Sequence, residues 1–203
     1  MSTPKPGPLP PLQAVGYKAT SSIPQYTAII ACIFVGASIM LRMFGLVLPL
    51  SVPTSSMSPA ILPGDHLLME GITFMARSPR KGDVVVFKSD GIESLMPGAT
   101  YVNRIAGQPG DRLRIEDGRL YVNGAHLPLK NSSGEIRYVF MRESRYLTAN
   151  GDTVTLPAGQ YFVLGDNSTN SFDGRFWGFL PAKNIKGRIA FCYWPPRDAG
   201  AVR

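Results

Sequence analysis

The hydrophobic pattern of the chain begins with one long apolar segment. No charged residue occurs over 26–41, Arg42 interrupts the segment, and residues 43–50 are apolar again. A helix needs about 20 mostly apolar residues to cross a bilayer. The segment 23–47 is long enough, because the long side chain of Arg42 can reach the headgroups. We therefore expect one N-terminal transmembrane anchor over 23–47.

Two other interpretations of this segment stay open. A cleaved secretory signal has a shorter apolar core and a small-x-small cleavage site, whereas Pro49 and Pro53 follow here. A buried core helix is seldom apolar on every face in a chain of this size. Residues 1–22 are rich in proline and carry Lys5 and Lys18 without an acidic residue, which predicts a flexible basic tail. Positive charge before the span favours the tail inside the cell and the remainder outside.

Short strand-like runs recur through the rest of the chain, over 48–203. Alternating or continuous apolar residues indicate strands in six places, which are 84–87, 112–116, 119–122, 153–156, 161–164 and 188–193. Asp117-Gly118 and Asn123-Gly124 are typical hairpin turns. No stretch of this region keeps a long 3.6-residue period, so its helices should be short. The pattern predicts an all-β, antiparallel domain over 48–203.

Composition fits a folded domain with an attachment. Of 203 residues, 44% are hydrophobic and 17% are charged, which is not the composition of a disordered chain. The net charge of +7 favours attraction to anionic lipid headgroups. Because the basic residues are scattered along the chain, no nucleic-acid partner is expected. Cys32 and Cys192 lack the spacing of metal ligands, and neither a metal nor another cofactor is expected.

Three segments combine residue types that suit acyl-transfer chemistry. The first motif, 53–59, reads Pro-Thr-Ser-Ser-Met-Ser-Pro and follows closely on the apolar segment. The second motif, 101–111, reads Tyr-Val-Asn-Arg-Ile-Ala-Gly-Gln-Pro-Gly-Asp, and the third, 165–175, reads Gly-Asp-Asn-Ser-Thr-Asn-Ser-Phe-Asp-Gly-Arg. A serine-rich loop alone is ordinary turn chemistry. The argument therefore depends on all three motifs together.

In this order, the three motifs resemble the signature segments of the type I signal peptidase family, and the resemblance extends over residues 40–195. It implies a signal-peptidase-like β domain after one transmembrane helix, and a serine endopeptidase that removes signal peptides from exported preproteins. It also implies a single-pass protein of the inner (cytoplasmic) membrane, with its catalytic domain on the outer, periplasmic side. Expected partners are preprotein signal peptides, membrane lipid and the translocation machinery. A conjugation-type maturation peptidase is the nearest enzyme alternative.

The resemblance assigns roles to individual side chains. Ser56 is the implied nucleophile, and Thr54 stands where the family has an oxyanion-hole hydroxyl. Ser171 matches a serine that orients the base, and Asp173 and Arg175 match a structural ion pair. A serine needs such help, because its hydroxyl is a weak nucleophile until a base removes its proton.

One position departs from the family pattern. Asn103 stands where signal peptidases have the general-base lysine, and an amide does not titrate in a useful range. The substitution predicts either an enzyme with a weakened or displaced base, or a catalytically silent paralogue that binds signal sequences or a partner. A third hypothesis is that Asn103 was introduced to trap an inactive form. His66 and His126 are the other titratable candidates, each more typical of a surface or half-buried histidine.

Two further expectations concern the surroundings of the site. Ser168, Thr169 and Gly174 differ from the commonest family letters, and we expect them at outer positions. Pro53 and Met57, with neighbouring strand residues, are expected to line a pocket for small substrate side chains.

Overall fold

The computed structural model describes residues 23–43 and 45–202. The basic tail predicted over 1–22 lies outside the described residues. The chain divides into an N-terminal unit that ends at Ile39 and a C-terminal unit that begins at Met40.

The N-terminal unit contains most of helix α1 (Ile23–Met43). The window Tyr26–Met43 has a mean hydropathy of 1.8, and none of it is buried. By length and composition this helix is able to cross a bilayer, although a secretory signal meets the same criterion. Arg42 lies in its last turn.

The C-terminal unit is built from short strands and very short helices. In chain order the strands are β1 (Val47–Ser51), β2 (His66–Glu70), β3 (Val84–Lys88), β4 (Thr100–Gly107), β5 (Arg112–Glu116), β6 (Arg119–Val122), β7 (Ala125–His126), β8 (Lys130–Asn131), β9 (Gly134–Glu135), β10 (Thr153–Thr155), β11 (Gln160–Leu164), β12 (Leu180–Pro181) and β13 (Ile185–Trp194). The helices are α2 (Thr73–Ala76), α3 (Gly174–Trp177) and two 3-10 turns, Ala182–Asn184 and Pro196–Asp198.

The strands pair antiparallel in three sheets. A seven-stranded sheet has the order β1-β2-β13-β3-β4-β11-β12, a four-stranded sheet has the order β10-β5-β6-β7, and β8 pairs with β9. The predicted all-β, antiparallel class is confirmed. Because β4 and β11 are neighbours, the second motif, which runs along β4, lies beside the start of the third motif, which follows β11.

The two predicted hairpin turns are present. Asp117 and Gly118 have φ angles of 49° and 73° and connect β5 to β6, and Asn123 and Gly124, with φ angles of 52° and 84°, connect β6 to β7. Two consecutive left-handed residues are what a two-residue turn between twisted strands requires. Strand β4 was not among the predicted strands, because the buried polar pair Asn103-Arg104 interrupts its apolar pattern.

Buried apolar clusters hold the motifs in place. Met57 and Ile61 are fully buried and pack with residues of β2, β3 and β13, so they anchor the segment that carries the first motif. Ile105, Val163 and Trp177 belong to another cluster, which joins β4, β11 and α3. The expectation that Met57 lines a substrate pocket is wrong, because its side chain belongs to the core.

Candidate active site

All three motifs contribute residues to one cavity of about 740 Å³. Ser56 and Thr54 line it from the first motif, Asn103 lines it from the second, and Ser171 lines it from the third. Pro53 also lines this cavity. The structure therefore brings together four of the side chains to which the sequence resemblance assigned roles.

The nucleophile candidate lies in a tightly turned loop. Thr54 Oγ1 and Ser56 Oγ are 3.3 Å apart, and either hydroxyl is able to donate to the other. The Ser58 amide donates to the Ser55 carbonyl at 3.1 Å. The side chain of Met57, the residue that follows Ser56, is buried in the core. Thr54 is exposed and Ser56 is half-buried, so both hydroxyls are accessible from the cavity.

Hydrogen bonds from the third motif fasten this loop. The Asn167 amide donates to the Ser56 carbonyl at 3.0 Å, and Asn167 Nδ2 donates to the Ser55 carbonyl at 3.1 Å. Asn170 Nδ2 donates to Ser55 Oγ at 2.8 Å. Sequence analysis gave Asn167 and Asn170 no role, although their place in the third motif pointed to this part of the molecule.

Gly165 permits the closest approach between the first and third motifs. A Cβ atom at this position would lie 2.7 Å from the Ser56 carbonyl oxygen and 2.5 Å from Ser171 Cβ, and it would overlap Ser171 Oγ. Such distances are too short for non-bonded atoms, so only glycine lets the two segments pack this closely.

Asn103 and Ser171 are both buried at the wall of the cavity. Their exposed fractions are 3% and 5%. Asn103 lies on β4 opposite Val85 of β3. Ser171 Oγ has no hydrogen-bond partner within the described part of the chain. A buried hydroxyl without a partner is rare in proteins and calls for an explanation.

A buried ion pair connects the neighbours of these residues. Arg104 Nε and Nη2 donate to the two carboxylate oxygens of Asp166 at 2.8 and 2.6 Å, and Arg104 Nη1 donates to the Gly82 carbonyl at 2.9 Å. Burial raises the pKa of Asp166, while the hydrogen bonds and charge of Arg104 act in the opposite direction. The pair ties the strand that carries Asn103 to the loop that begins at Gly165.

Asp173 and Arg175 form a second, completely buried ion pair. Arg175 Nε and Nη2 donate to the Asp173 carboxylate at 2.9 and 2.8 Å. The Gly165 amide donates to the same carboxylate at 2.9 Å. Arg175 Nη1 donates to the Val139 carbonyl and to Ser168 Oγ at 2.8 and 3.0 Å. Both residues lie outside the cavity, which makes them structural supports of the third motif.

Two of the three positions expected on the outside are buried. Ser168 is 6% exposed, and its hydroxyl accepts hydrogen bonds from Arg175 and from the Val139 amide. Gly174 is also buried, and a Cβ there would lie 2.8 Å from the Val163 carbonyl oxygen. The expectation was wrong because both residues pack around the Arg175 guanidinium and β11. Thr169 is exposed.

The alternative bases do not reach the cavity. Within the described residues, neither His66 nor His126 lines it. The His66 ring packs against Tyr193 with 5.8 Å between ring centroids, and His126 Nε2 lies 2.8 Å from a carboxylate oxygen of Glu135. Tyr101 is the one titratable side chain among the described lining residues.

Aromatic side chains form part of the wall. Phe172 is 49% exposed, its ring centroid lies 4.9 Å from that of Phe176, and both residues line the cavity. Trp177 Nε1 donates to the Phe172 carbonyl at 3.1 Å, which fixes the backbone there. Sequence analysis gave Phe172 no role, although its position between Ser171 and Asp173 was a usable signal.

Comparisons with known proteins agree with this geometry. The family model described as signal peptidase, peptidase S26, matches residues 24–194. A probable signal peptidase I-2 of Synechocystis is 34% identical over 74% of this chain and 65% of its own length. The thylakoidal processing peptidase 1 of Arabidopsis thaliana is 35% identical over 73% of this chain and 42% of its own length. Signal peptidase I of Leptolyngbya laminosa is 31% identical over 74% of this chain and 70% of its own length.

The chain thus spans 65% and 42% of the length of the first two of these relatives. The family match covers α1, the β domain and all three motifs. On this evidence the chain belongs to the signal peptidase family of the peptidase S26 type.

Proposed function

We propose that this chain is a membrane-anchored serine endopeptidase that removes signal peptides from exported preproteins. One observation carries the proposal: Ser56, Thr54, Asn103 and Ser171, which come from three distant motifs, line a single cavity. The relatives that cover most of the chain are named signal or processing peptidases, which supports the reaction class.

In the proposed reaction, Ser56 Oγ attacks the carbonyl carbon of the scissile peptide bond. The Thr54 hydroxyl lies 3.3 Å from Ser56 Oγ, and in the proposed reaction it donates to the oxyanion that develops on the former carbonyl oxygen of the substrate. The peptide C–N bond then breaks, and its nitrogen leaves as an amine with the proton lost by Ser56, which water carries to it. A second water molecule hydrolyses the ester, which frees the new carboxyl end of the signal peptide and restores the Ser56 hydroxyl. Asp173 and Arg175 do not take part chemically, and they keep the third motif in place.

Proton removal from Ser56 is the weak step. Asn103 cannot act as a base, because an amide accepts no proton near neutral pH. General-base assistance typically contributes about 10²–10⁴ in rate. We therefore propose slow turnover by an otherwise assembled site.

We further propose that α1 is a single-pass anchor in the inner membrane, with the β domain on the outer side. The apolar window Tyr26–Met43 supports the anchor. Lys5 and Lys18, which precede the helix without any acidic residue, support the orientation. Signal peptides, lipid and the translocation machinery are the partners that this arrangement requires.

A silent paralogue that binds signal sequences is the second candidate function. It is favoured by Asn103 and by the lining itself, since none of the described residues around the cavity is a lysine, histidine or carboxylate. A conjugation-type maturation peptidase would share the chemistry of the first candidate and differ in its substrate.

The first prediction concerns the nucleophile and the base position. Ser56→Ala should abolish cleavage of a preprotein in detergent, whereas Asn103→Lys should raise kcat by about 10² or more, because an amine with a depressed pKa can accept the Ser56 proton. Cleavage is measured by following the shortened product on gels and by mass spectrometry.

Ser133→Ala, a change at an exposed serine outside the cavity, is the matched control and should leave the rate unchanged. Cleavage that persists at the full rate in Ser56→Ala would exclude Ser56 as the nucleophile. Saturable binding of a signal peptide without cleavage by either the native chain or Asn103→Lys would support the silent paralogue.

A further inference from the structure

One hydrogen bond in the cavity joins two polar side chains that are still able to bind other groups. Asn170 Nδ2 donates to Ser55 Oγ at 2.8 Å, and both residues line the cavity. Asn170 is exposed and Ser55 is half-buried. The bond therefore holds a carboxamide and a hydroxyl side by side at the cavity surface, next to the residue that carries the candidate nucleophile, Ser56.

The remaining hydrogen-bonding groups of this pair can be counted. A serine hydroxyl has one proton and two acceptor lone pairs, and an asparagine side chain has a carbonyl oxygen beside its N–H groups. Because Ser55 Oγ accepts from Asn170, its own proton is directed away from that amide. Among the described residues, neither this proton nor Asn170 Oδ1 has a further partner within the protein. The pair thus offers one donor and one acceptor to a molecule in the cavity.

The backbone that carries the pair is fixed before any ligand binds. The Ser55 carbonyl accepts from Asn167 Nδ2 and from the Ser58 amide, each at 3.1 Å. The Asn170 amide donates to the Asn167 carbonyl at 3.0 Å. Groups that are already held in place lose little conformational freedom on binding. The donor and the acceptor are therefore preorganised for a ligand.

A peptide main chain matches this pair better than a charged ligand does. None of the described lining residues is a lysine, arginine, histidine or carboxylate, so a charged group would lose its hydration without gaining an opposite charge. A peptide carries one N–H donor and one C=O acceptor on each residue other than proline. These are the two groups that Asn170 Oδ1 and the Ser55 hydroxyl are able to bind.

We propose that Ser55 and Asn170 bind the main chain of the peptide substrate, with Asn170 Oδ1 accepting from a substrate N–H and the Ser55 hydroxyl donating to a substrate C=O. The inference rests on the proposed function, because the ligand is the peptide that Ser56 would cleave. Main-chain atoms are the same in every sequence. The contact therefore sets the register of the substrate beside Ser56 without selecting its side chains.

The test measures the binding of peptides whose main chain is altered one group at a time. An ester in place of one amide removes a single N–H and leaves every side chain unchanged. The full chain is used in detergent with Ser56→Ala as the parent, so that no peptide is cut during the measurement. At one position of a small-x-small peptide, the ester should raise Kd about threefold to tenfold, which is the usual effect of one hydrogen bond.

Variants assign this hydrogen bond to the pair. In Asn170→Ala the ester and amide peptides should bind equally at that position, because the acceptor is gone. Ser55→Ala should raise the Kd of the amide peptide about threefold or more, whereas Ser55→Thr, which keeps a hydroxyl, should bind like the parent. Ser133→Ala, at an exposed serine outside the cavity, is the matched control and should retain the full effect of the ester.

Two results would overturn the inference. If each ester changes Kd by the same factor in the parent and in Asn170→Ala, Asn170 does not bind the main chain. If Ser55→Ala lowers kcat in an Asn103→Lys background with Ser56 restored but leaves every Kd unchanged, the pair only fastens the loop.

Cleavage of the all-amide peptide tests the peptidase proposal separately. If Asn103→Lys cuts this peptide but the ester effect does not depend on Asn170, the inference is wrong and the peptidase proposal stands. If Asn103→Lys does not cut it but the ester effect does depend on Asn170, the main-chain contact stands and the peptidase proposal fails.

Discussion

Among single residues, Arg175 shows how burial decides the contribution of an ion pair. Its guanidinium is completely buried and hydrogen-bonded to Asp173, Ser168 and Val139. Arg197 also pairs with a carboxylate close in sequence, at 3.1 Å, but its side chain is 79% exposed. The planar guanidinium, with its several N–H donors, is therefore needed at the buried Arg175 and not at the exposed Arg197.

Arg175→Lys should lower the free energy of unfolding by about 3 kcal/mol, because lysine leaves part of a buried network unsatisfied. The matched Arg197→Lys should change it by less than about 0.5 kcal/mol. Urea denaturation followed by tryptophan fluorescence measures both. Equal effects of the two substitutions would show that Arg175 is not a structural support.

The residue type predicted the location of the side chain at some positions of the site and not at others. The sequence pointed to Ser56, Asn103 and Ser171 through their motifs, and the structure shows them lining one cavity. It did not reveal the burial of Ser168, because a small polar residue is equally at home on a surface. Ser168 is buried because its hydroxyl accepts a hydrogen bond from the buried Arg175 guanidinium, an interaction that only the structure shows.

At the scale of elements, the pairing of β4 with β11 brings the motifs together. The register places Arg104 opposite Leu164, so the third motif begins beside the second. A Cβ atom at Gly165, the first residue after β11, would collide with both Ser171 and the Ser56 carbonyl oxygen. The close packing of the first motif against the third therefore depends on the absence of a side chain at Gly165.

Gly165→Ala should therefore reduce cleavage more than it reduces stability. The added Cβ displaces Ser171 or the Ser56 loop, and overpacking of this kind typically costs about 1–3 kcal/mol. In an Asn103→Lys background we expect a loss of at least about tenfold in kcat/KM, measured beside urea unfolding. If the loss of kcat/KM were no larger than the increase in the unfolded fraction explains, a specific effect on the site would be contradicted.

Gly200→Ala is the matched control, because a Cβ at Gly200 would meet nothing within 4 Å. It should leave both cleavage and unfolding close to those of the parent chain.

The sequence predicted some elements well for a physical reason. The Asp-Gly and Asn-Gly turns encode their own geometry, so the hairpin of β5 and β6 could be predicted from local residues. Strand β4 could not, since its polar residues are buried by partners far away in the sequence. The order of strands in the seven-stranded sheet is a tertiary property that no local pattern contains.

For the whole molecule, the main feature is the difference between its two units. None of the residues Tyr26–Met43 of helix α1 is buried, whereas the β domain buries its apolar side chains in clusters of its own. Hydropathy predicted an apolar anchor over 23–47 and a β domain over 48–203, and these bounds stay a prediction. The orientation of α1 in the membrane was predicted from the positive charges that precede it, which indicate on which side each end lies but give no tilt angle.

Membrane attachment is testable on the full chain. Replacing Ile30 and Phe34 in α1 by aspartate should release the protein from membranes washed with alkaline carbonate, because a central charge costs about 2.5–3.5 kcal/mol on the insertion scale. Met96→Asp, at a side chain of the β domain that is 72% exposed, is the control and should stay in the pellet. Retention of both variants would contradict anchoring by α1.

The hydrogen bonds that immobilise the Ser56 loop have a consequence for biosynthesis. Asn167 and Asn170 reach Ser55 across 112 and 115 positions of the chain. Contacts so distant in sequence form only after the intervening polypeptide exists. A chain that has been synthesised only as far as β10 contains Ser55 and Ser56 but lacks Asn167 and Asn170. On the proposed function, the loop that carries Ser56 is therefore fixed in place only after the third motif has been synthesised.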